Sequence, residues 1–482
     1  MQNPSSKNVY MIGIGGIAMG TLAGMLAEKG HHVTGSDQGL YPPMSTHLEA
    51  LHIPVIQGYH ADNPARVSPD IFIIGNVIRR ENPEAQYVLS RNLPYLSMPQ
   101  AIDSFFLSRH QSIVVAGTHG KSTTSSLLSW VLTAGGLDPS AFIGAILKNW
   151  QKSYRLGNGR YMVIEGDEYD TAFFDKGPKF LHYRPQTAVL TGIEYDHADI
   201  FPDFDSVYEA FRRFILLIPS DGTLIVNADD AVASKAAREC KGKVISYGWS
   251  EKADLRVLSV DYLPGQVRFT CREPLSGKEQ SVVSLLAGRH NLSNTLAVLA
   301  VSSVVGLPFQ SFQDGLLTFQ GVRRRQDIIG ECDGIAVMDD FAHHPTAVKE
   351  TLSAMRSFYP DRRIIAAFEP RTNSSRRRVF QAAYSKAFDD ADLTCIKNPP
   401  GLDTIPQQER LDARALAHDI HLRGRESHYF ENTPDLLHFL LSCCREGDLV
   451  ICMSNGSFDG LPLELHGNLL IRSRSRSIDK KG

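Results

Sequence analysis

The stretch Ser112–Ser126, SIVVAGTHGKSTTSS, decides how the rest of the chain is read. Its β-prone residues Ile113 to Ala116 predict a buried strand, and the spacing of Leu127, Leu128, Val131 and Leu132 predicts the apolar face of a helix. Between them stands Gly117-Thr118-His119-Gly120-Lys121-Ser122-Thr123. A strand, a glycine-bearing turn and a helix N-terminus form a phosphate cradle, because backbone N–H groups and the positive dipole end converge on one anion. Gly117 and Gly120 let the backbone approach oxygens that a Cβ would hold off. Lys121 supplies a point charge for the β- and γ-phosphates, and the hydroxyl of Ser122 or Thr123 is a ligand for Mg²⁺. The spacing departs from the full Walker pattern, with Val115 where a first glycine is expected. An ordinary strand-to-helix turn also yields Gly-Lys-Ser by chance. The reading carried forward is a nucleoside triphosphate site.

Around that loop, 482 residues leave room for roughly two to four domains, each with its own core. A hydrophobic content of 43% and a charged content of 21% are those of an ordinary water-soluble globular chain. A net charge of −3 argues against a dedicated nucleic-acid binder. The cysteines (Cys240, Cys271, Cys332, Cys395, Cys443, Cys444, Cys452) are odd in number and form no CxxC pair. With no signal peptide ahead of them, they are expected as reduced thiols of a cytoplasmic protein. No apolar run approaches the ~20 residues that span a bilayer, so no membrane insertion is expected. The basic end RSRSRSIDKKG, Arg472–Gly482, predicts a disordered tail over 471–482.

Upstream of the loop, Val9 to Ile14 predicts a first strand. It leads into Gly13-Ile14-Gly15-Gly16 and a helix through Leu22, Leu26 and Ala27, and His32 to Gly35 predicts a second strand ending in Ser36-Asp37. A glycine-rich turn at a helix N-terminus, with an acid roughly 20 residues on, approaches the dinucleotide fingerprint. NAD, FAD and UDP-sugars all use such a turn, so the ligand stays open. Ile71 to Gly75 predicts a further strand, with Asn76 at its carboxyl end, where open α/β sheets bind ligands. One Rossmann-like domain over 1–107 follows.

Downstream, Tyr161 to Ile164 ends in Glu165-Gly166-Asp167-Glu168-Tyr169-Asp170, and Thr187 to Leu190 ends in Thr191-Gly192-Ile193-Glu194-Tyr195-Asp196-His197. Acids and a histidine at strand ends beside a phosphate loop suit Mg²⁺ bridging phosphate oxygens. Such acids also cap helices. Asp170 and Asp203 are read as caps, Glu165 and His197 as metal or substrate contacts. Leu224 to Asn227, the segment from Val283 and the helix Leu296 to Val305 complete a middle domain, 108–321. Arg289, His290, Asn291 and Asn294 form a polar entry to that helix. Asn291 is either its N-cap or, with His290, a contact for base or ribose. Arg323-Arg324-Arg325 stands at the junction with a third domain, 322–470, as a solvated run or as a group closing on a phosphate. There Ile335 to Met338, Ile364 to Phe368, Leu393 to Ile396 and Leu449 to Met453 predict strands, each ending in polar residues, and Pro345 is placed to open a helix.

In chain order, GTHGKST, VIEGDEYD, GIEYDHADIF, GRHNLSN, GVRRRQD and DDFAHHPTA resemble the Mur ligases, over nearly the whole chain from Val9 to about Leu470. The resemblance implies an α/β protein of three domains. A Rossmann-like N-terminal domain binds a UDP-sugar, a central P-loop domain with a mostly parallel sheet binds ATP, and a Rossmann-like C-terminal domain binds the incoming amine. It also implies that ATP phosphorylates the lactyl carboxylate of UDP-N-acetylmuramic acid and that the amine attacks the acyl phosphate. Gly117, Thr118, His119, Gly120, Lys121, Ser122, Thr123, His290, Asn291, Arg325 and Asp340 then fall to ATP. Gly13, Gly15, Gly16, Ser36, Asp37 and Asn76 fall to the UDP-sugar. His343, His344, Arg371 and Asn373 face the acceptor. Ser122 and Glu165 hold one Mg²⁺, His197 a second, and Lys121, Glu165 and His197 form the catalytic set.

Three segments resemble the branch that adds the murein tripeptide L-alanyl-γ-D-glutamyl-meso-diaminopimelate during peptidoglycan recycling. They are Tyr41-Pro42-Pro43-Met44-Ser45-Thr46, FFDKGPKFLHYRP at 173–185, and Glu369-Pro370-Arg371-Thr372-Asn373-Ser374. The rival within the family adds free L-alanine. Outside it stand an NAD-dependent oxidoreductase, resting on Gly13 to Gly20 and Asp37 alone, and a non-catalytic nucleotide-binding scaffold. Many Mur ligases bridge the second metal with a carbamoylated lysine. Here the corresponding helix reads Tyr208-Glu209-Ala210-Phe211-Arg212-Arg213, and a guanidinium takes up no CO₂.

Overall fold

The computed structural model describes residues 6–41, 44–196, 200–263, 265–272 and 277–479, with backbone alone for 475–479. Three sheets follow one another along the chain. In the first, β1 (Asn8–Ile12), β2 (His32–Asp37), β3 (Val55–Gln57), β4 (Ile71–Ile74) and β5 (Tyr95–Ser97) are all parallel, in the order β3-β2-β1-β4-β5. Val9 to Ile12 are fully buried, as a strand covered on both faces requires. The chain leaves β1 to opposite sides, which opens a crevice at its carboxyl end. Gly13–Gly16 turn there into the helix Ile17–Glu28.

The second sheet holds β6 (Gln111–Ala116), β7 (Ser140–Leu147), β8 (Lys152–Arg155), β9 (Tyr161–Glu165) and, after a small hairpin of β10 (Asp170–Ala172) and β11 (Asp175–Pro178), β12 (Thr187–Leu190). It continues through β13 (Thr223–Asn227), β14 (Lys243–Gly248), β15 (Leu255–Leu263), β16 (Gln266–Arg272) and β17 (Glu279–Ser284). The order is β17-β16-β15-β14-β13-β12-β6-β9-β7-β8, parallel at its centre and antiparallel at both margins. β6 sits between β12 and β9, so the phosphate loop leaves the sheet where the strand order reverses. The first sheet docks through its first helix: a Cβ on Gly24 would lie 2.6 Å from the Tyr154 hydroxyl, which donates to Glu28 at 2.9 Å. The hairpin adds a second contact, with Phe174 edge-on to Tyr95 at 4.8 Å.

The third sheet holds β18 (Asp327–Cys332), β19 (Ile335–Asp340), β20 (Arg363–Phe368), β21 (Leu393–Lys397), β22 (Glu426–Phe430) and β23 (Asp448–Met453), in the order β18-β19-β23-β20-β21-β22. All neighbours are parallel except β18, which pairs antiparallel with β19. The two marginal strands escape a pattern reading. β18 carries a bulge between Ile328 and Gly330, and β22 is a half-buried edge with a mixed polar face.

Two expectations need correction here. The residues from 471 onward are not disordered as far as Asp479: the helix Leu461–Asp479 runs through them. Leu461, Leu465 and Leu469 are buried along it, Arg472 donates to Leu441 O at 2.7 Å, and Ser473 to Asp333 at 2.7 Å. No glycine or proline stops it after Gly467, and arginine is a good helix former, so an anchored helix propagates into a polar segment. Residues 480–482 lie outside the described residues, as do Pro42 and Pro43. Asp170 caps no helix; it opens β10 and pairs with Lys176 at 3.4 Å. Asp203 does cap, accepting the Ser206 N–H at 2.8 Å ahead of the helix Phe204–Leu216. In that helix Arg212 is held in ion pairs with Glu239 and Glu209. Among the described residues no helix is long and apolar enough to cross a membrane.

Candidate active site

β6 hands the chain to the helix Lys121–Ala134 through two glycines with left-handed backbone, Gly117 at φ +131° and Gly120 at φ +81°. A Cβ on Gly117 would sit 2.1 Å from Thr191 Oγ1, and one on Gly120 2.6 Å from Asn294 Oδ1. The loop is therefore wedged between the end of β12 and the helix Arg289–Val304. Glycine is needed for this packing as well as for approach to phosphate. Thr118 fixes the wedge: its N–H donates to Gly192 O at 3.0 Å, and its hydroxyl accepts from Glu194 N at 2.9 Å.

The Lys121 ammonium folds back onto its own loop. It donates to Gly117 O at 2.7 Å, Thr118 O at 3.2 Å and the buried Glu168 carboxylate at 2.9 Å. Burial pulls its pKa down, but the Glu168 charge outweighs that and leaves it raised, so the group is a cation at neutral pH. One residue on, Ser122 donates to Glu165 Oε1 at 2.8 Å, while Glu165 Oε2 accepts the Gly144 N–H at 2.7 Å. Burial pushes the Glu165 carboxyl up, against the pull of these two donors and of Lys121 and Arg325. A hydroxyl and a carboxylate side by side, in a place that disfavours an unpaired negative charge, are a hard donor set that fits Mg²⁺. His197, expected at the second metal, lies outside the described residues.

The third domain closes on this loop. Glu194 accepts from His119 at 2.9 Å and, with its other oxygen, from Thr346 Oγ1 at 2.8 Å, and the rings of His119 and His344 stand 5.0 Å apart. His344 is buried as the N-cap of the helix Pro345–Phe358, accepting the Thr346 N–H at 3.4 Å. Its surroundings are thus the phosphate loop, not an open acceptor cleft. Burial pulls His343 down to about 4, so it is a neutral imidazole that accepts or donates without charge at physiological pH.

The arginine run divides its work. Arg323 is exposed, and Arg324 donates to Ser454 O at 2.6 Å and pairs with Asp339 at 3.3 Å. Arg325 lies over the Phe341 ring at 4.5 Å, within the field of both Asp340 and Glu165. Asp340 itself is committed to the fold, accepting from Gln326 N at 2.7 Å and Ala342 N at 2.8 Å. The polar entry Arg289 to Asn294 lies inside the helix, capped by Gly288, so Asn291 is no cap. Its side chain donates to Ala287 O at 2.8 Å and to Gln326 at 3.2 Å, and His290 stands 3.3 Å from the same glutamine. His290 and Asn291 therefore meet the inter-domain link.

At the carboxyl edge of the third sheet, Arg371 follows β20 with its side chain 37% exposed, 3.5 Å from Glu369 and 3.7 Å from Asp459. Exposed Asn373 accepts from Arg376 at 2.7 Å. In the first sheet, Asp37 is occupied in holding the glycine turn, accepting from Gly15 N at 2.8 Å, with Gly39 N at 3.3 Å on the other oxygen. Ser36 is fully buried and donates inward to Glu84, so its hydroxyl does not face the crevice. Gly13, Gly15, Gly16 and exposed Asn76 are at its mouth. Glu168, Glu194 and Gln326 were not singled out from the sequence. Each lies within a segment quoted for the site, but which acid of Glu165, Asp167 and Glu168 turns to Lys121 is a matter of tertiary contact.

Comparison with known proteins agrees with this layout. Three family models match in succession: the Mur ligase family catalytic domain over residues 8–110, the Mur ligase middle domain over 115–302, and the Mur ligase glutamate ligase domain over 324–456. The UDP-N-acetylmuramate–L-alanyl-γ-D-glutamyl-meso-2,6-diaminoheptandioate ligase of Escherichia coli K12 is 36% identical over 95% of this chain and 97% of its own. A UDP-N-acetylmuramate–L-alanine ligase of Neisseria gonorrhoeae is 33% identical over 95% and 97%. The crystal structure of a murein peptide ligase from Psychrobacter arcticus superposes with a TM-score of 0.72 at 31% identity, covering 96% of this chain and 99% of that one. With the phosphate loop, its paired serine and glutamate and the three sheets in family order, this chain belongs to the Mur ligase family.

Proposed function

We propose that the chain joins L-alanyl-γ-D-glutamyl-meso-diaminopimelate to the lactyl carboxylate of UDP-N-acetylmuramate, with ATP converted to ADP and phosphate. The observation that carries this is Lys121 with the Ser122–Glu165 pair, closed over by the third domain through Glu194 and Thr346. The same activity stands in the name of the E. coli relative. Lys121 brings a cation to the transferring phosphoryl group, exchanging its own loop carbonyls for phosphate oxygens. Arg325, which feels the Glu165 charge, adds a second positive charge from the third domain. Ser122 and Glu165 would hold Mg²⁺, which would neutralise charge on the phosphates. Bringing the tripeptide amine to the activated carboxylate is then positioning work for the third domain. Arg371 offers its carboxylates a planar fork there.

The neisserial relative keeps L-alanine in play as the acceptor. A phosphate-release assay with ATP, UDP-N-acetylmuramate and either amine decides between them. The tripeptide is expected to exceed L-alanine in kcat/KM by at least about tenfold, or ~1.4 kcal/mol. Equal or better use of L-alanine reassigns the acceptor.

A further inference from the structure

At the end of the first sheet opposite the glycine turn, a cleft of about 260 Å³ is lined by Lys7, Lys29, His31 and Arg109, with Ser104 and Ser108 beside them. These residues come from separate places. Lys7 precedes β1, Lys29 ends the first helix, His31 precedes β2, and Arg109 stands in the short link to β6. The cleft lining contains basic groups and no carboxylate.

His31 is the informative member. It is 94% buried, at 6% exposure. Its Nδ1 accepts the Lys7 backbone N–H at 3.2 Å, so the neutral ring carries its proton on Nε2. That Nε2–H is buried with no hydrogen-bond partner among the described residues, though the ring stands edge-on to Phe105 at 5.1 Å. Buried donors are rarely left this way, because their lost hydration goes unreplaced. Burial lowers the His31 pKa, and Lys29, Lys7 and His32 lower it further. Burial and then Arg109 do the same to Lys29, which donates to Phe105 O and lies 4.5 Å from the Phe106 ring centre. Like charges gathered around an unused donor are costly for the protein alone and complementary to an oxyanion.

We propose that this cleft binds a phosphate-class oxyanion, held by the His31 Nε2–H and the Lys29, Lys7 and Arg109 cations. The site goes beyond the ligase reading and stands at the other end of the sheet from the glycine turn. An anion there ties the first helix and the strand starts to the link that leads into β6, where Leu107 to His110 join the first and second sheets. Its source is either free phosphate or the phosphoryl group of a metabolite.

The test uses the full chain carrying Lys121→Ala, which weakens phosphate binding at the ATP loop, at a temperature where circular dichroism shows this variant and the further ones folded. Titration calorimetry with inorganic phosphate and with glycerol 3-phosphate, up to ~10 mM, is expected to show one site, with Kd rising at least about tenfold on adding Lys29→Met with Arg109→Gln. His31→Phe, which removes the donor but no charge at neutral pH, is expected to weaken binding by about threefold or more. Tighter binding of glycerol 3-phosphate identifies a metabolite as the source, and tighter binding of inorganic phosphate identifies the free ion. No binding in the Lys121→Ala protein, or equal binding after the Lys29 and Arg109 changes, overturns the site. Neither result bears on acceptor choice, which the phosphate-release assay decides separately.

Discussion

Replacing Arg371 by lysine separates recognition from stability. The buried Glu369 carboxylate does not depend on Arg371: Lys397 donates to one oxygen at 2.8 Å and Ser454 to the other at 2.7 Å. Arg371 stands at 3.5 Å from Glu369 and 3.7 Å from Asp459, with its side chain 37% exposed. Contacts of that length and exposure contribute about 0–1 kcal/mol to stability. A lysine there keeps the charge but loses the planar two-pronged grip on a carboxylate. The expected result is a fall of at least about tenfold in kcat/KM for the tripeptide, or ~1.4 kcal/mol, with the KM for ATP and the thermal midpoint little changed. Lys397→Met is the contrast: it strands the carboxylate of Glu369, which is wholly buried, and is expected to cost about 3–5 kcal/mol in stability. Phosphate release at varied tripeptide, with calorimetry on both variants, reads the two effects. Tripeptide kinetics in Arg371→Lys that match the parent refute the recognition role. A large loss of stability in Arg371→Lys would instead make it structural.

Other outcomes follow from the same geometry. Lys121→Ala is expected to lower turnover by at least ~10²-fold, the scale for one preorganised electrostatic contact, and also to lower stability because it leaves the buried Glu168 carboxylate without its cation; single-turnover phosphate release below the variant's thermal midpoint checks it. Glu165→Gln keeps the size of the side chain that meets Ser122 and Gly144 but removes its charge. Activity should then require much more Mg²⁺, and an unchanged Mg²⁺ titration would make Glu165 a purely structural acid. His343 titrates near 4 when folded and near 6.5 when unfolded, so the unfolded chain binds the extra proton between those values. Its contribution is fully present above about pH 6.5 and is lost as pH falls toward 4, by up to roughly 3 kcal/mol. In His343→Gln, denaturation midpoints measured across that window should fall less steeply than in the parent.

Much of this protein was decided by local chemistry. Thr187–Leu190 is the strand its β-branched and apolar residues predict, and Pro345 opens a helix because its fixed φ and missing N–H suit that place. Gly117 and Gly120 marked the loop because at their positive φ a Cβ would meet Thr191 and Asn294. What tertiary structure alone settled is where polar side chains spend their hydrogen bonds. Asp340 and Ser36, both candidates for ligand contact, turned to the fold, since a buried carboxylate or hydroxyl takes the nearest partner. Glu168 and Glu194 acquired their roles from strands distant in sequence, meeting Lys121 across 47 residues and Thr346 across 152. The helix through Arg472 likewise rests on leucines packed earlier along it, whereas composition in that segment pointed the other way. Backbone preference is written within a few residues, but a side chain's partner depends on which strands the sheet order brings together.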